Sequence, residues 1–369
     1  MLHKIGAWLW REKMLLLSLA AALQSMLFVP PDAAYAGYVD WDVLLLLFSL
    51  MAVVTGLKRC GVFGRLAAAL LHRAGDLRRL TRLLALGCFF SSMLVTNDVA
   101  LLTFVPLTAL LLQGQGAALI YAVSLESVAA NLGSMATPVG NPQNLYLFSH
   151  YAMSLGDFCA AVLPLCAASL ALVLLACLPV PKSPLDAPSM PAETPAAAPR
   201  WRLALHALQF VCCLLAVLRV LPKPVCFGLV LLSTLLADRK ALAQVDYALL
   251  GTFVCFFVFV GNLGRIPAVQ TLLTGVVAGR ELETALLVSQ VVSNVPAALM
   301  LSGFTDHAAA LMRGVDIGGL GTLVASLASL IAFKLYMKTP GAKAGRYLWV
   351  FTLMNAAFLL ALYGLSQVI

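Results

Sequence analysis

Asn131-Leu132-Gly133-Ser134-Met135-Ala136-Thr137-Pro138-Val139-Gly140-Asn141 breaks an apolar chain with glycine, proline and amides, and it has an echo late in the sequence: Asp316-Ile317-Gly318-Gly319-Leu320-Gly321-Thr322-Leu323-Val324-Ala325-Ser326. In register, Gly133 meets Gly318, Thr137 meets Thr322 and Val139 meets Val324. A duplicated, glycine-interrupted segment of this kind marks two repeats that meet around a site at the middle of a membrane.

The surroundings fit a bilayer. Hydrophobic residues are 62% of the 369 and charged residues 11%, against roughly 25% charged in a soluble domain. The runs Met14 to Val29, Val43 to Leu57, Phe158 to Leu178, Tyr247 to Val260 and Tyr347 to Leu365 approach the roughly 20 apolar residues that span hydrocarbon. Tilting helices and flanking residues cover the shorter ones.

The net charge of +8 reads as the positive-inside rule and not as a nucleic-acid footprint. Lys4, Arg11 and Lys13 precede the first span, and no Lys or Arg lies between Val29 and Asp42. Lys58, Arg59, Arg65, Arg73, Arg78, Arg79 and Arg82 follow the second span. The N-terminus is therefore expected in the cytoplasm. Ala34-Tyr35-Ala36 imitates a signal-peptidase site, but another span follows, so a retained anchor is expected. The nine cysteines form no C-x-x-C and have no His companions. They indicate neither disulfides nor zinc.

Pro179 to Pro199, rich in Pro, Ala and Ser, reads as a linker. The expected division is a first repeat over 1–178, a linker over 179–202, a connecting helix over 203–222 and a second repeat over 223–369. Each repeat holds spans, an amphipathic piece (Val62 to Leu77; Ile266 to Val277), an interrupted hairpin (about 80–112; about 282–301) and a broken helix (about 117–151; about 308–332). Val39-Asp40-Trp41 opens one span and Val245-Asp246-Tyr247 opens its partner. If the hairpins are re-entrant, the connecting helix inverts the second repeat. Nineteen of the 24 basic residues then fall inside, leaving Arg219, Lys223, Arg265, Arg280 and Arg313, and the C-terminus ends outside. The expected fold is an all-α polytopic membrane protein of two inverted repeats, in the plasma (inner) membrane.

Chemistry is expected at the interruptions. Thr96-Asn97-Asp98 and Ser293-Asn294-Val295 each place a hydroxyl residue before an Asn within apolar sequence. Irregular backbone at membrane depth needs protein or a water-filled cavity to satisfy it. Half-helix N-termini favour anions, and unwound carbonyls favour cations. The bland alternative is that these Ser, Thr and Asn side chains only bond neighbouring helices.

These residues resemble a family. The two tips look like the Ser-Asn-Thr hairpin tips of divalent-anion/sodium symporters, although Asp98 and Val295 stand where that pattern has its last Thr. Thr137-Pro138-Val139-Gly140-Asn141-Pro142-Gln143-Asn144 resembles the unwound segment of the wider ion transporter superfamily, which includes citrate transporters, arsenite permeases and other anion permeases. The resemblance implies elevator-type transport, sodium at the tips and unwound segments, and a homodimer. It points to Thr96, Asn97, Ser293, Asn294, Asn141, Thr137 and Thr322 for substrate. For sodium or a proton it points to Asn97, Asp98, Asn294, Gly140, Asn144, Gly318 and Ser326.

Three acids within apolar sequence add candidates, since a charge at the bilayer centre costs about 2.5–3.5 kcal/mol on insertion scales. Asp98 reads as a proton or cation ligand, and Glu126 reads either as one or as a protonated or hydrogen-bonded packing residue. Asp316, opposite Asn131, reads either as a ligand or as a helix cap. The expected activity is secondary transport of a small carboxylate or inorganic oxyanion, with sodium as coupling ion and no other cofactor. A sodium/proton antiporter and an arsenite or oxyanion exporter are the rivals on the same fold. An enzyme would need a catalytic dyad, and no His lies near either tip.

Overall fold

The computed structural model describes residues 13–71, 75–184 and 199–369. It is helical, with one isolated bridge, Asp76 to Pro184, as its extended pairing. The first half runs α1 (Lys13–Met26), a short 3-10 turn (Ala33–Gly37), α2 (Trp41–Arg59), α3 (Val62–Leu71), α4 (Leu77–Val95), α5 (Asn97–Leu111), α6 (Gly116–Ser134), α7 (Pro142–His150) and α8 (Leu155–Ala176). A connecting helix, α9 (Arg200–Val217), leads to α10 (Lys223–Ala237), the single-turn α11 (Arg239–Leu242), α12 (Tyr247–Gly264), α13 (Pro267–Val277), α14 (Glu281–Val292), α15 (Asn294–Ser302), α16 (Ala308–Gly318), α17 (Leu327–Tyr336) and α18 (Ala344–Ser366).

The halves repeat one another in local chemistry. Asp40 caps α2 by accepting from the Val43 amide at 3.0 Å, and Asp246 caps α12 by accepting from Leu249 at 2.9 Å. A carboxylate there satisfies one of the open N-H groups of a helix start. α4 and α5 meet at Thr96, and α14 and α15 meet at Ser293. The unwound stretches after α6 and α16 end at helix caps. Asn141 accepts from the Asn144 amide, with Pro142 in the first turn, and Ser326 accepts from Ala328. Proline suits that first turn because its missing N-H would be unpaired anyway.

Packing is exchanged between the halves. α1 lies against α12 as α10 lies against α2; α4 lies against α6 as α14 lies against α16. The second hairpin arms cross over, so that α5 packs on α17 and α15 packs on α7. This reciprocity is a pseudo-twofold relation; Asn97, Asn131, Asn141, Asn294 and Ser326 are buried, while Thr322 and Val324 of the second unwound stretch are exposed. Among the described residues, six helices are long and apolar enough to cross a membrane: α2, α6, α8, α9, α12 and α18. Leu175, Leu208, Leu232, Leu353 and Leu360 are exposed, as expected of a lipid-facing surface. Trp41, Trp201, Tyr247 and Trp349 are exposed near helix starts, where amphipathic rings suit an interface.

Two expectations need adjusting. The connecting helix starts at Arg200, inside the expected linker, and stops at Val217. Its end is marked by Arg219 in the left-handed region (φ 62°) and by Pro222, which precedes the next helix. The piece expected over Val62 to Leu77 is α3 over Val62–Leu71 among the described residues, and Asp76 caps α4 through the Arg79 amide. Residues 72–74 and 185–198, most of the linker, lie outside the described residues. α1 is built into the body: Asn262 of α12 donates to Ser25 at 2.9 Å and to Tyr35 at 2.8 Å.

Candidate ion and substrate site

Both hairpin tips carry the same unusual backbone. Thr96 has φ 77° and ψ 147°, and Ser293 has φ 75° and ψ 154°. Non-glycine residues avoid this region at a cost of order 1–3 kcal/mol. Such strain persists only where surroundings impose it, and here the imposing contacts are the unwound segments. Thr137 donates its hydroxyl to the Met93 carbonyl, three residues before the first tip. Thr322 donates to the Gln290 carbonyl, three residues before the second, at 3.0 Å.

Asn131, at the end of α6, is the hub of one polar cluster. Its Oδ1 accepts from Asn97 Nδ2 at 3.0 Å and from Ser326 Oγ at 2.9 Å, and its Nδ2 donates to Ser329 Oγ at 3.3 Å. The first tip, the first broken helix and the second broken helix are thereby joined. Asp316, its counterpart at the end of α16, centres a second cluster. There Asn141 Nδ2 and Gln143 Nε2 approach Oδ1 at 3.4 and 3.5 Å, and Asn141 also donates to Ser134 Oγ at 3.2 Å. Asp316 sits in the last turn of α16 and not at a helix start.

The other expected residues distribute as follows. Asn294 donates its amide N-H to the Ala325 carbonyl at 2.9 Å, and Ser293 Oγ donates to the same oxygen at 3.3 Å. Gly140 is pressed on the Ser134 carbonyl, so close that a Cβ would stand 2.1 Å from its oxygen. The Gly318 carbonyl accepts from Gln290 Nε2 at 2.9 Å. Asn144 donates Nδ2 to the Met135 carbonyl at 3.3 Å. Glu126 stands apart: its side-chain partner is Thr108 of α5, and it touches neither tip.

A cavity of about 540 Å³ opens beside the first tip. Thr96, Asp98 and Asn141 line it from the tip side, Thr55 and Lys58 from α2, and Gln244, Asp246 and Tyr247 from the start of α12. The second hairpin instead packs against α12. Sequence reasoning missed Lys58 as a cavity cation because it counted with the cytoplasmic flank. It also missed Gln143 and Ser134, whose partners lie across the fold.

Paired helix breaks, buried amides at their meeting point and an adjoining cavity define a membrane-embedded transporter. The chain belongs to the citrate transporter family (CitMHS), whose sequence profile matches residues 5–333. It is 32% identical over 339 residues to inner membrane protein YbiR of Escherichia coli K12, covering 90% of this chain and 88% of that one. It is 29% identical over 335 residues to an uncharacterized transporter of Methanocaldococcus jannaschii, covering 89% and 90%. A 150-residue stretch is 34% identical to the silicon efflux transporter LSI3 of rice, covering 40% of this chain and 30% of that one. The YdaH transporter of Alcanivorax borkumensis shares the fold, with a TM-score of 0.60 and 15% identity over 91% of this chain and 87% of that one.

Proposed function

We propose that the chain is a secondary active transporter of a small anion, a carboxylate or an inorganic oxyanion, coupled to sodium. The carrying observation is that the first strained tip and both unwound segments meet at Asn97, Asn131, Asn141 and Ser326, with Thr96, Asp98 and Asn141 on the wall of the cavity. Amides and hydroxyls there, with the helix N-termini that begin at Asn97 and Pro142, favour an anion without a buried permanent charge. Lys58 offers a cation at the cavity wall. Each net positive charge carried inward across 100 mV contributes about 2.3 kcal/mol, or roughly fifty-fold accumulation.

In this reading the hairpins are re-entrant, the second half is inverted, and the N-terminus is cytoplasmic with the C-terminus outside. The block of hairpins and broken helices moves as an elevator against α1, α2, α9, α10 and α12. A cavity at the first tip, beside Lys58 and the α11–α12 turn, corresponds to the inward-open state, and two copies form the working dimer. A second reading, export of a weak oxyacid, draws on the silicon efflux relative and on Asp98 and Asp246 at the cavity wall.

Proteoliposomes screened with citrate, other carboxylates, sulfate, phosphate, arsenite and silicate, with sodium present or replaced by choline, test the proposal. Sodium-dependent uptake of one anion, lost in Asn97→Ala and Asn294→Ala, is expected. Undiminished transport by both variants would reject the site.

A further inference from the structure

The turn between α9 and α10 grips the end of α7. Arg219, in the left-handed region at φ 62°, donates its guanidinium to the carbonyls of Phe148, Ala152 and Met153 at 3.3, 3.0 and 3.0 Å and lies over the Phe148 ring. Lys223 donates to Ser149 at 2.8 Å and pairs with Asp42 at 3.3 Å. Cations suit a helix C-terminus, where the last carbonyls lack partners. The short turn Leu218 to Pro222 therefore holds a helix whose start, at Asn141 and Pro142, lines the cavity.

Two thiols meet at the base of that turn. Cys213 lies one turn before the end of α9 and Cys226 in the first turn of α10, so the helical hairpin sets them side by side although 13 residues separate them. No sequence motif marks the pair. Cys226 Sγ donates to Cys213 Sγ at 3.8 Å, the one sulfur–sulfur hydrogen bond among the described residues, and both side chains are fully buried. Cys177 shows what a helical thiol does otherwise, donating to the carbonyl of Val173 at 3.2 Å. A thiol is a weak donor and a weak acceptor, so the contact gains little as a hydrogen bond. A covalent S–S bond needs about 2.05 Å, and side-chain rotation that moves each sulfur by about 0.9 Å closes the gap.

The compartment agrees with this chemistry. Arg200 and Arg202 put the start of α9 on the cytoplasmic side in the orientation proposed above, so the turn that follows α9 faces outward, where disulfides form and persist. We propose that Cys213 and Cys226 are joined by a disulfide, a covalent staple across the base of the turn that carries Arg219 and Lys223. The thiolate of one cysteine attacks the disulfide of a dithiol oxidase in the outer compartment, breaking that S–S bond and forming a mixed disulfide. The second thiolate then attacks the first cysteine's sulfur and expels the oxidase as a dithiol. Two electrons and two protons pass to the oxidase, and one S–S bond is gained by this chain. Folding buries both sulfurs against α2, so the step belongs to the α9–α10 hairpin before it packs there. The staple rests on the orientation reading and on neither the substrate nor the coupling ion.

The test produces the full-length protein in cells with an oxidising outer compartment. N-ethylmaleimide, added with denaturant at lysis, blocks free thiols, and iodoacetamide after reduction marks those that were paired. Of the nine cysteines, Cys213 and Cys226 are expected to carry the second label and the others the first, read by peptide mass spectrometry. Cys226→Ala should leave Cys213 with the first label. Wild type is expected to melt a few degrees above the same protein reduced with a phosphine, while Cys226→Ala melts alike with and without the phosphine. Reduction should also speed amide exchange at Ala152 and Met153, where Arg219 grips α7, and leave 294–302 unchanged. Free thiols at both positions in wild type overturn the disulfide, and equal melting of oxidised and reduced wild type overturns its role as a staple. The orientation is tested apart, by a membrane-impermeant maleimide on Val220→Cys in right-side-out vesicles, since Val220 is exposed on the turn. Labelling supports an outward turn and its absence rejects that orientation, so the two readings can fail independently.

Discussion

Thr96 and Ser293 hold a backbone conformation that costs each of them stability, and the two sites are unequal in what they gain for it. Thr96 makes no side-chain capping bond, whereas the Ser293 hydroxyl donates to Ala325. Thr96→Gly is therefore expected to raise unfolding stability by about 1–3 kcal/mol, the strain released, with Ser293→Gly gaining less. Thermal melts of the two variants check the order. If the Thr96 hydroxyl binds substrate, the stabler variant will also transport more slowly. Such residues were legible in the sequence as hydroxyl-Asn pairs inside apolar runs, as were the Asp40 and Asp246 caps. Their partners were not. Asn97 to Asn131, Ser326 to Asn131 and Asn141 to Asp316 join positions far apart in the chain, and no local pattern records which amide meets which carboxylate. Glu126 was legible as an acid in apolar sequence, but its partner was not: it is bonded to Thr108 of α5.

Among the elements, the close pairing of each hairpin arm with its broken helix depends on small residues. A Cβ on Gly133 would stand 2.1 Å from the Phe89 carbonyl oxygen, and one on Gly314 would stand 2.6 Å from that of Leu282. Gly133→Ala and Gly314→Ala must push α4 from α6 and α14 from α16. Overpacking of this kind costs about 1–3 kcal/mol, and both variants are expected to melt earlier and to lose transport together. Gln290 pins the other unwound segment. Its Nε2 donates to the carbonyls of Leu286, Gly318 and Leu320, and its Oε1 accepts from the Thr322 amide. Gln290→Leu leaves several of these backbone groups unpaired, at about 1–3 kcal/mol for each one buried. Hydrogen exchange should then rise at 318–322 while 133–137 is unaffected, because the first half has Met93 at the matching place. The duplication made these elements readable as pairs, but it could not show that Gln290 fills one member and not the other.

For the whole molecule, one exposed ion pair ties the N-terminal loop to the second half. Arg265, at the end of α12, donates to Asp32 at 2.7 Å and to Tyr38 at 3.0 Å, closing the loop after α1 over the second half. The Arg265 hydrogen bond holds the Asp32 carboxyl below its ordinary range, with the Ala34 amide adding to it. A depressed carboxyl stabilises above its unfolded pKa, and that contribution disappears as pH falls through the folded value. Melts of Asp32→Asn should therefore fall less steeply with acid below about pH 4, with a difference that shrinks in high salt because both groups face water. The crossover of α5 onto α17 and α15 onto α7 has a consequence for biosynthesis. Neither half can complete its polar interior while the other is still on the ribosome, since Asn131 waits for Ser326 and Asp316 must find Asn141. Cut between 184 and 199 and made as two polypeptides, the protein should accumulate in the membrane only when both pieces are produced in the same cell, and each piece alone should be degraded.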